Sequence, residues 1–166
     1  MARVAAPDRL DQLVAQWAEQ RPDLDTEVMA VVGRVLAVGE LVGRRIDRSA
    51  ARHGLDRGQG DVLFTLRRAG PPYRLSPSRL AASLLVTSGT MTNRLDRLQQ
   101  RGLIRRAPNP HDRRGMDVEL TPEGVALADA LVAEHVANEQ EMLAPLSPRE
   151  RDQLVRITRK LYAHLA

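Results

Sequence analysis

Apolar residues recur at three- and four-residue spacing through most of the chain, a pattern that predicts a mainly helical protein. A first helix carries Leu10, Leu13, Val14 and Trp17 on one face. Arg21-Pro22 ends this helix, because the residue before a proline disfavours helical geometry. A long second helix is predicted from about residue 25 to residue 53, with Gly39 interrupting its apolar stripe.

Three further helix starts are marked by capping residues. Asp56 with Gln59 resembles a capping box, Ser76 is followed by proline at the first helical position, and Thr87 precedes another amphipathic segment. The last of these helices has Met91, Leu95 and Leu98 on one side and ends at Gly102. Two short helices in tandem, the second opening on small polar residues, have the outline of a helix-turn-helix.

A β-hairpin is predicted directly after this pair, from residues 103–108 and 116–120. In its second strand Met116, Val118 and Leu120 are expected to face inward, with Asp117 and Glu119 facing outward. The tip, residues 109–115, is rich in turn formers. Thr121 then caps a helix, and Ser147 with Glu150 forms a capping box for the last one.

The predicted fold class is therefore mainly α with a small β-hairpin: a winged helix-turn-helix with N- and C-terminal dimerisation helices. We expect one domain over residues 1–166, with a DNA-binding lobe at 56–120 and a helical dimerisation region at 8–53 and 121–166. The terminal helices have broad apolar faces far in sequence from the hairpin, which predicts a homodimer.

Positive charge is concentrated on the same central motif. Residues 94–114 contain seven arginines and two aspartates, a local charge of +5 against +4 for the whole chain. Such clustering is typical of nucleic-acid binding, although an isolated charge run is more often a solvated face. Here the charge falls on the two elements that a winged helix presents to double-stranded DNA.

Candidate DNA contacts lie at the start and on the outward face of the second helix of the motif, at the start of the first helix, and at the hairpin tip. They are Ser76, Ser78, Thr87, Ser88, Gly89, Thr90, Thr92, Asn93, Arg97, Arg113 and Arg114. Hydroxyl and amide side chains at a helix N-terminus suit phosphate oxygens and base edges, and the major groove admits one helix. An ordinary polar surface is the alternative for the helix taken alone.

These residues resemble the MarR family of bacterial transcription regulators. The run from Leu75 through Leu98 matches the helix-turn-helix pattern, and the segment from Asn109 through Gly124 matches the wing signature. The resemblance covers nearly the whole chain. It implies a dimeric winged-helix protein that represses a nearby promoter until a small molecule releases it.

Trp17 on an extra N-terminal helix, followed by the run from Arg21 to Asp25, is similar to the PecS and urate-responsive subgroup. The resemblance implies a ligand pocket made by Trp17, Asp61, Arg94 and Arg106 for a small anionic effector, urate-like or a tricarboxylate. Each residue has another interpretation. Trp17 suits core packing, Asp61 a solvated or ion-paired acid, Arg94 a partner of Asp61, and Arg106 a phosphate contact.

Other function classes find less support. No nucleophile triad, phosphate loop or metal-spaced cluster occurs, so we expect no enzyme and no cofactor. The chain contains no cysteine, which excludes thiolate metal sites and thiol sensing. His53 and His135 with acidic neighbours leave a metal-sensing regulator as a weak alternative, and a ligand-independent architectural DNA binder is another. With no apolar run of about 18 residues and no export signal, we expect a cytoplasmic protein without a membrane partner.

Overall fold

The structure, a computed structural model, describes residues 8–109 and 115–166. The chain divides into two compact units, residues 1–45 and 46–166. In the first unit, helix α1 (Arg9–Gln20) begins at Asp8, whose carboxylate accepts the N–H groups of Leu10 and Asp11. Arg34 donates to Asp11 at 2.6 Å and to Asp8, so two acids at the start of α1 are tied to helix α2 (Glu27–Arg52). Helix α2 runs through Gly39 without a break, which confirms the prediction of one long helix.

The helix-turn-helix lies in the second unit, and its predicted caps are confirmed. Helix α3 (Arg57–Arg68) has the Asp56–Gln59 capping box, α4 (Pro77–Ser83) begins after Ser76, and α5 (Ser88–Gln100) begins after Thr87. Each capping oxygen accepts a backbone N–H that the helix itself cannot satisfy. The N-termini of α4 and α5 are therefore fixed locally by their own sequence.

The wing is a three-stranded antiparallel sheet in the order β1-β3-β2. Its strands are β1 (Arg74–Leu75), β2 (Ile104–Pro108) and β3 (Met116–Leu120). The predicted burial of Val118 and Leu120 in β3 is confirmed, but the alternation is wrong, since Met116 is exposed whereas Asp117 and Glu119 are buried. The cause is the central place of β3, where polar side chains can be buried because both flanking segments supply partners. Most of the predicted tip lies outside the described residues.

Two helices complete the second unit. Helix α6 (Pro122–Met142) begins at the Thr121 cap, and α7 (Pro148–Leu165) begins with the Ser147–Glu150 capping box. The core of the second unit is aliphatic and gathers under α5, where Leu63, Leu66, Leu80 and Leu98 are fully buried. In contrast, α7 has no buried residue in the single chain.

One glycine fixes the distance between α6 and the wing. A side chain at Gly124 would overlap the backbone carbonyl of Leu103, in the segment that joins α5 to β2. Beside it, the N–H of Thr121 donates to the Leu103 oxygen at 3.1 Å, and the Thr121 hydroxyl donates to the Gly102 oxygen at 2.7 Å. The start of α6 is thus packed directly on the backbone that follows α5.

We expect Gly124→Ala to lower the free energy of unfolding by about 3 kcal/mol, because a backbone carbonyl has to move to admit the methyl group. Gly39→Ala is the matched control, since no atom from elsewhere in the described part of the single chain lies within 4 Å of the added methyl group. That change should instead raise stability by about 1 kcal/mol through helix propensity. Urea unfolding of both variants measures the difference, and equal effects would show that the contact at Leu103 is not tight.

Candidate nucleic-acid interface

Helix α5, the second helix of the helix-turn-helix, separates a buried face from an exposed one. Met91, Leu95 and Leu98 are at most 2% exposed. Asn93 and Arg97 lie on the other side, and the Arg97 side chain is 60% exposed, with its guanidinium 3.8 Å from the Asp56 carboxylate. An ion pair this long and this exposed is weak. The outward face therefore presents the Asn93 amide and the Arg97 guanidinium to an external partner.

The predicted hydroxyl contacts surround the starts of α4 and α5, but several also serve the helices. The Ser76 and Thr87 hydroxyls accept the N–H groups of Arg79 and Thr90 at 3.3 and 3.2 Å. Thr92 donates its hydroxyl to the Ser88 carbonyl at 3.0 Å. Further side-chain pairs join Ser76 to Ser78 and Thr87 to Thr90. Gly89 is exposed with open space around it, so an anion can approach the first turn of α5 closely.

Several arginines of the basic motif have partners inside the protein. Arg105 donates to Glu119 at 2.8 Å, and Arg106 donates to Asp96 at 2.5 Å. Arg101 donates to two backbone carbonyls. The local charge of the sequence therefore overstates the charge that is free to meet an external anion. Arg113 and Arg114, the predicted wing contacts, lie outside the described residues.

Glu119 joins the three strands of the wing through its side chain. Arg74 on β1 and Arg105 on β2 both donate to this carboxylate, which is only 11% exposed. The hydrogen bond from Arg105, with that from Arg74, holds the pKa of Glu119 below its ordinary 4.5 against the opposing effect of burial. The carboxylate is therefore more stable as an anion in the folded wing than in the unfolded chain.

A cavity of about 210 Å³ opens beside α3 in the second unit. Its lining residues come from the end of α2 and from α3 and α6: Ile46, Ser49, Ala50, Arg57, Gly60, Asp61, Phe64, Leu131 and His135. Asp61 is half-buried there, and loss of water raises the pKa of its carboxyl. The charges of Arg57 and Arg94 oppose this rise without cancelling it. The cavity thus combines an apolar wall with one poorly solvated acid and nearby cations.

The structure brings two of the four predicted ligand residues near each other. The Arg94 guanidinium lies against Gly58 at the start of α3 and acts electrostatically on Asp61. Within residues 8–109 and 115–166, however, no ion pair shorter than 4.0 Å joins Arg94 to Asp61. Arg106 is directed elsewhere, toward Asp96, which is two residues and about 200° around α5 from Arg94. Trp17 is half-exposed on α1 of the first unit.

Sequence reasoning missed Arg57, Phe64 and His135 as cavity residues. A usable signal was present, because Gly58 and Gly60 lie in the first turns of α3, where glycine weakens a helix. At Gly58 the missing side chain makes room for Arg94. Phe64 and His135 pack together with ring centroids 5.4 Å apart, a contact between α3 and α6 that no local pattern predicts.

The comparisons with known proteins agree with this geometry. The MarR family model matches residues 53–115. The chain is 41% identical over 156 residues to the HTH-type transcriptional regulator PecS of Dickeya dadantii, covering 94% of each protein. It is also 34% identical over 107 residues to the multiple antibiotic resistance protein MarR of Salmonella typhimurium, which covers 64% of this chain and 72% of that one. The chain belongs to the MarR family.

Solved structures of family members support the same assignment. Sco3205 of Streptomyces coelicolor, a MarR family transcriptional regulator crystallised with DNA, aligns with a TM-score of 0.74 at 26% identity, over 86% of this chain and 89% of that one. An E. coli MarR variant complexed with operator DNA aligns with a TM-score of 0.67 at 28% identity, over 87% and 96%. The prediction of a winged-helix transcription regulator, rather than an enzyme, is confirmed.

Two further findings concern the part of the chain that the structure describes. No helix there is long and apolar enough to cross a bilayer. No group of three or more metal-binding side chains comes together among the same residues. His53 and His135 each contact a single acid, Glu134 at 2.6 Å and Glu139 at 3.2 Å, so the metal-sensing alternative gains no site from them.

We expect Asp61→Asn and Glu119→Gln to change stability in opposite directions at pH 7. The folded state raises the pKa of Asp61, so removing that charge should stabilise the protein; it lowers the pKa of Glu119, so removing that charge should destabilise it.

The pH dependence provides the control for this pair. The penalty at Asp61 disappears as pH falls below 3.8, and the gain at Glu119 is lost as pH falls below 4.5 through its lowered pKa. The free energies of unfolding of both variants should therefore approach that of the wild type in acid. Urea unfolding between pH 7 and pH 3.5 measures them, and effects of the same sign at pH 7 would contradict these assignments.

Proposed function

We propose that this chain is a DNA-binding transcriptional repressor that acts as a homodimer in the bacterial cytoplasm and is released from its operator by a small anionic molecule. The observation that carries the proposal is the outward face of α5, where Asn93 and Arg97 are exposed above a fully buried apolar face. The relatives that are named as regulators and the structures solved with DNA support it.

The dimer is supported by apolar surface that the single chain leaves uncovered. Helix α2 exposes more than half of each of Val28, Val31, Val32, Val35, Leu36, Val38 and Leu41. Helix α7 exposes Leu154, Val155, Ile157, Leu161, Tyr162 and Leu165. Monomeric proteins rarely expose such continuous apolar faces. A second copy of the chain would cover them and would place two recognition helices against one duplex.

Reading of the operator is assigned to α5 and anchoring to the wing. Asn93 and Arg97 can form bidentate hydrogen bonds with base edges, adenine for the amide and guanine for the guanidinium. The first turn of α5, with Ser88 and Gly89, is suited to backbone phosphates. Arg113 and Arg114 at the wing tip would add contacts to the minor groove or to flanking phosphates.

We expect Arg97→Ala to relax base preference at one position of each half-site, at a cost of about 1–3 kcal/mol. Arg113→Ala should weaken binding to all sequences and reduce the slope of log affinity against log salt by about one. Footprinting and salt titration on the DNA upstream of the gene for this chain measure both effects. The footprint should cover two half-sites about 34 Å apart. An asymmetric single site would contradict the dimer, and equal binding to every sequence would favour an architectural protein.

The effector site is assigned to the cavity beside α3. Asp61 and the nearby cations could meet a ligand that carries both donors and acceptors, and Arg94 is well placed as its charged partner. Asp61 lines this cavity and Arg94 acts on it electrostatically, whereas Trp17 and Arg106 are proposed as ligand residues on the family resemblance alone. Because Arg94 belongs to α5, a ligand that draws its guanidinium toward the cavity also changes the pose of Asn93 and Arg97. Urate is the first candidate, since it is planar, anionic and offers N–H donors, and a tricarboxylate is the second.

Release requires the ligand to bind the pose that cannot bind DNA more tightly than the pose that can. A hundredfold loss of DNA affinity corresponds to about 2.7 kcal/mol of such preference. One charge-assisted hydrogen bond that forms in only one of the two poses is of this size. In the described state Arg106 is paired with Asp96, so its participation would require that exposed ion pair to open.

We expect Arg94→Ala and Trp17→Phe to raise the urate concentration needed for release by about tenfold or more, since each removes one ligand contact. The experiment titrates urate and, separately, a tricarboxylate against the operator complex of each variant. Arg149→Ala, on the exposed first turn of α7, serves as a charge-matched control. Release of both variants at the wild-type concentration would place the pocket elsewhere, and no release of the wild type by either anion would contradict the proposed effector class.

A further inference from the structure

Arg101, the residue that ends the recognition helix, is turned away from the outward face of α5. Its Nη1 donates to the carbonyl oxygen of Gly54 at 2.7 Å, and its Nη2 donates to that of His53 at 2.9 Å. Both carbonyls lie just beyond the last residue of α2, at the negative end of that helix. One guanidinium therefore joins the end of α5 to the end of α2 through two charge-assisted hydrogen bonds.

The turn that receives Arg101 is itself held firmly. Gly54 adopts a left-handed conformation with φ of 66°, and its N–H donates to the Ala51 oxygen at 2.9 Å, which closes the end of α2. His53 Nε2 lies 2.6 Å from Glu134 on α6, and Arg52 also pairs with Glu134. The carbonyls bound by Arg101 are thus fixed from α6 as well as from α2.

The chain directly after Arg101 is fixed on its other side. The carbonyl oxygen of Gly102, a residue with φ of 69°, accepts the hydroxyl of Thr121. The carbonyl oxygen of Leu103, which lies against Gly124, accepts the N–H of Thr121. The ends of α2 and α5 and the start of α6 therefore meet at residues 101–103. A small rotation of α5 about its axis would break contacts with both neighbouring helices.

We infer that Arg101 is a positioning residue for DNA reading: it clamps the C-terminal end of the recognition helix to the end of α2 and sets the angle at which Asn93 and Arg97 enter the major groove. Its charge is directed at protein carbonyls and not at phosphate. Removing it should therefore reduce the preference for operator over random DNA while leaving the electrostatic part of binding intact. The inference rests on the proposed DNA binding and adds a residue to it.

The test compares Arg101→Met with the wild type on operator and on random DNA over a range of salt. We expect operator affinity to fall about tenfold, random-sequence affinity to change less than about twofold, and the salt slope to stay the same. Loss of a phosphate contact would instead lower both affinities and reduce the slope by about one, which would overturn the inference. Unchanged operator affinity would overturn it as well.

Arg151→Met is the matched control. Arg151 donates to the carbonyl oxygens of Leu143 and Leu146, in the segment that joins α6 to α7, at 2.9 and 3.1 Å. This contact is of the same kind, but it does not involve the recognition helix. Its loss should lower thermal stability without changing the ratio of operator to random affinity, so a fall in that ratio only for Arg101 separates positioning from general stabilisation.

Two further comparisons make every outcome informative. If Arg101→Met does not fold, Arg101→Lys keeps the charge but loses the planar fork that reaches two carbonyls. This lysine variant should show a reduced preference for operator over random DNA with an unchanged salt slope. A preference equal to that of the wild type would overturn the inference. The wild-type protein is measured first. If it shows no preference for operator over random DNA, the proposed function fails. If the wild type prefers the operator and the Arg101 variant shows the same preference, only the positioning role of Arg101 is rejected.

Discussion

Burial of one face of α5 is the constraint on which the outward surface of the helix-turn-helix depends. Met91, Leu95 and Leu98 are almost completely buried, and each contributes about 1.5–3 kcal/mol relative to an exposed position. With these three side chains inside, the rotation of the helix about its axis is fixed. The residues on its other side can then only face outward. The outward position of Asn93 and Arg97 is therefore a consequence of aliphatic packing beneath them, and not of their own interactions.

The basic residues around this helix divide into two groups that charge counting cannot separate. Arg101, Arg105 and Arg106 donate to carbonyls or carboxylates of the protein at 2.7, 2.8 and 2.5 Å, whereas the Arg97 guanidinium lies 3.8 Å from the Asp56 carboxylate. Arginine suits both tasks, because its planar fork can bind two protein acceptors as readily as a base edge. The net charge of the motif is thus correct as a property of the region, but it does not identify the residues that meet DNA.

The helix boundaries could be predicted because their determinants are local. The caps at Asp56, Ser76, Thr87 and Ser147 each depend on a side chain within three residues of the N–H that it accepts. The burial of Glu119 could not be predicted in this way. It depends on Arg74, 45 residues away in sequence, and on β3 being the central strand. The packing of Arg94 on Gly58 and the cavity beside Asp61 also depend on contacts between distant segments.

The run from Leu120 to Gly124 supports the resemblance to the family, yet four of its five residues serve the shape of the junction. Leu120 is buried, Thr121 caps α6 and binds the Gly102 carbonyl, and Pro122 supplies the first helical position without needing a donor. Gly124 is present because no side chain fits against Leu103. A motif of this kind indicates how a helix packs behind the wing. Two proteins can share it fully while reading unrelated DNA sequences and answering to unrelated small molecules.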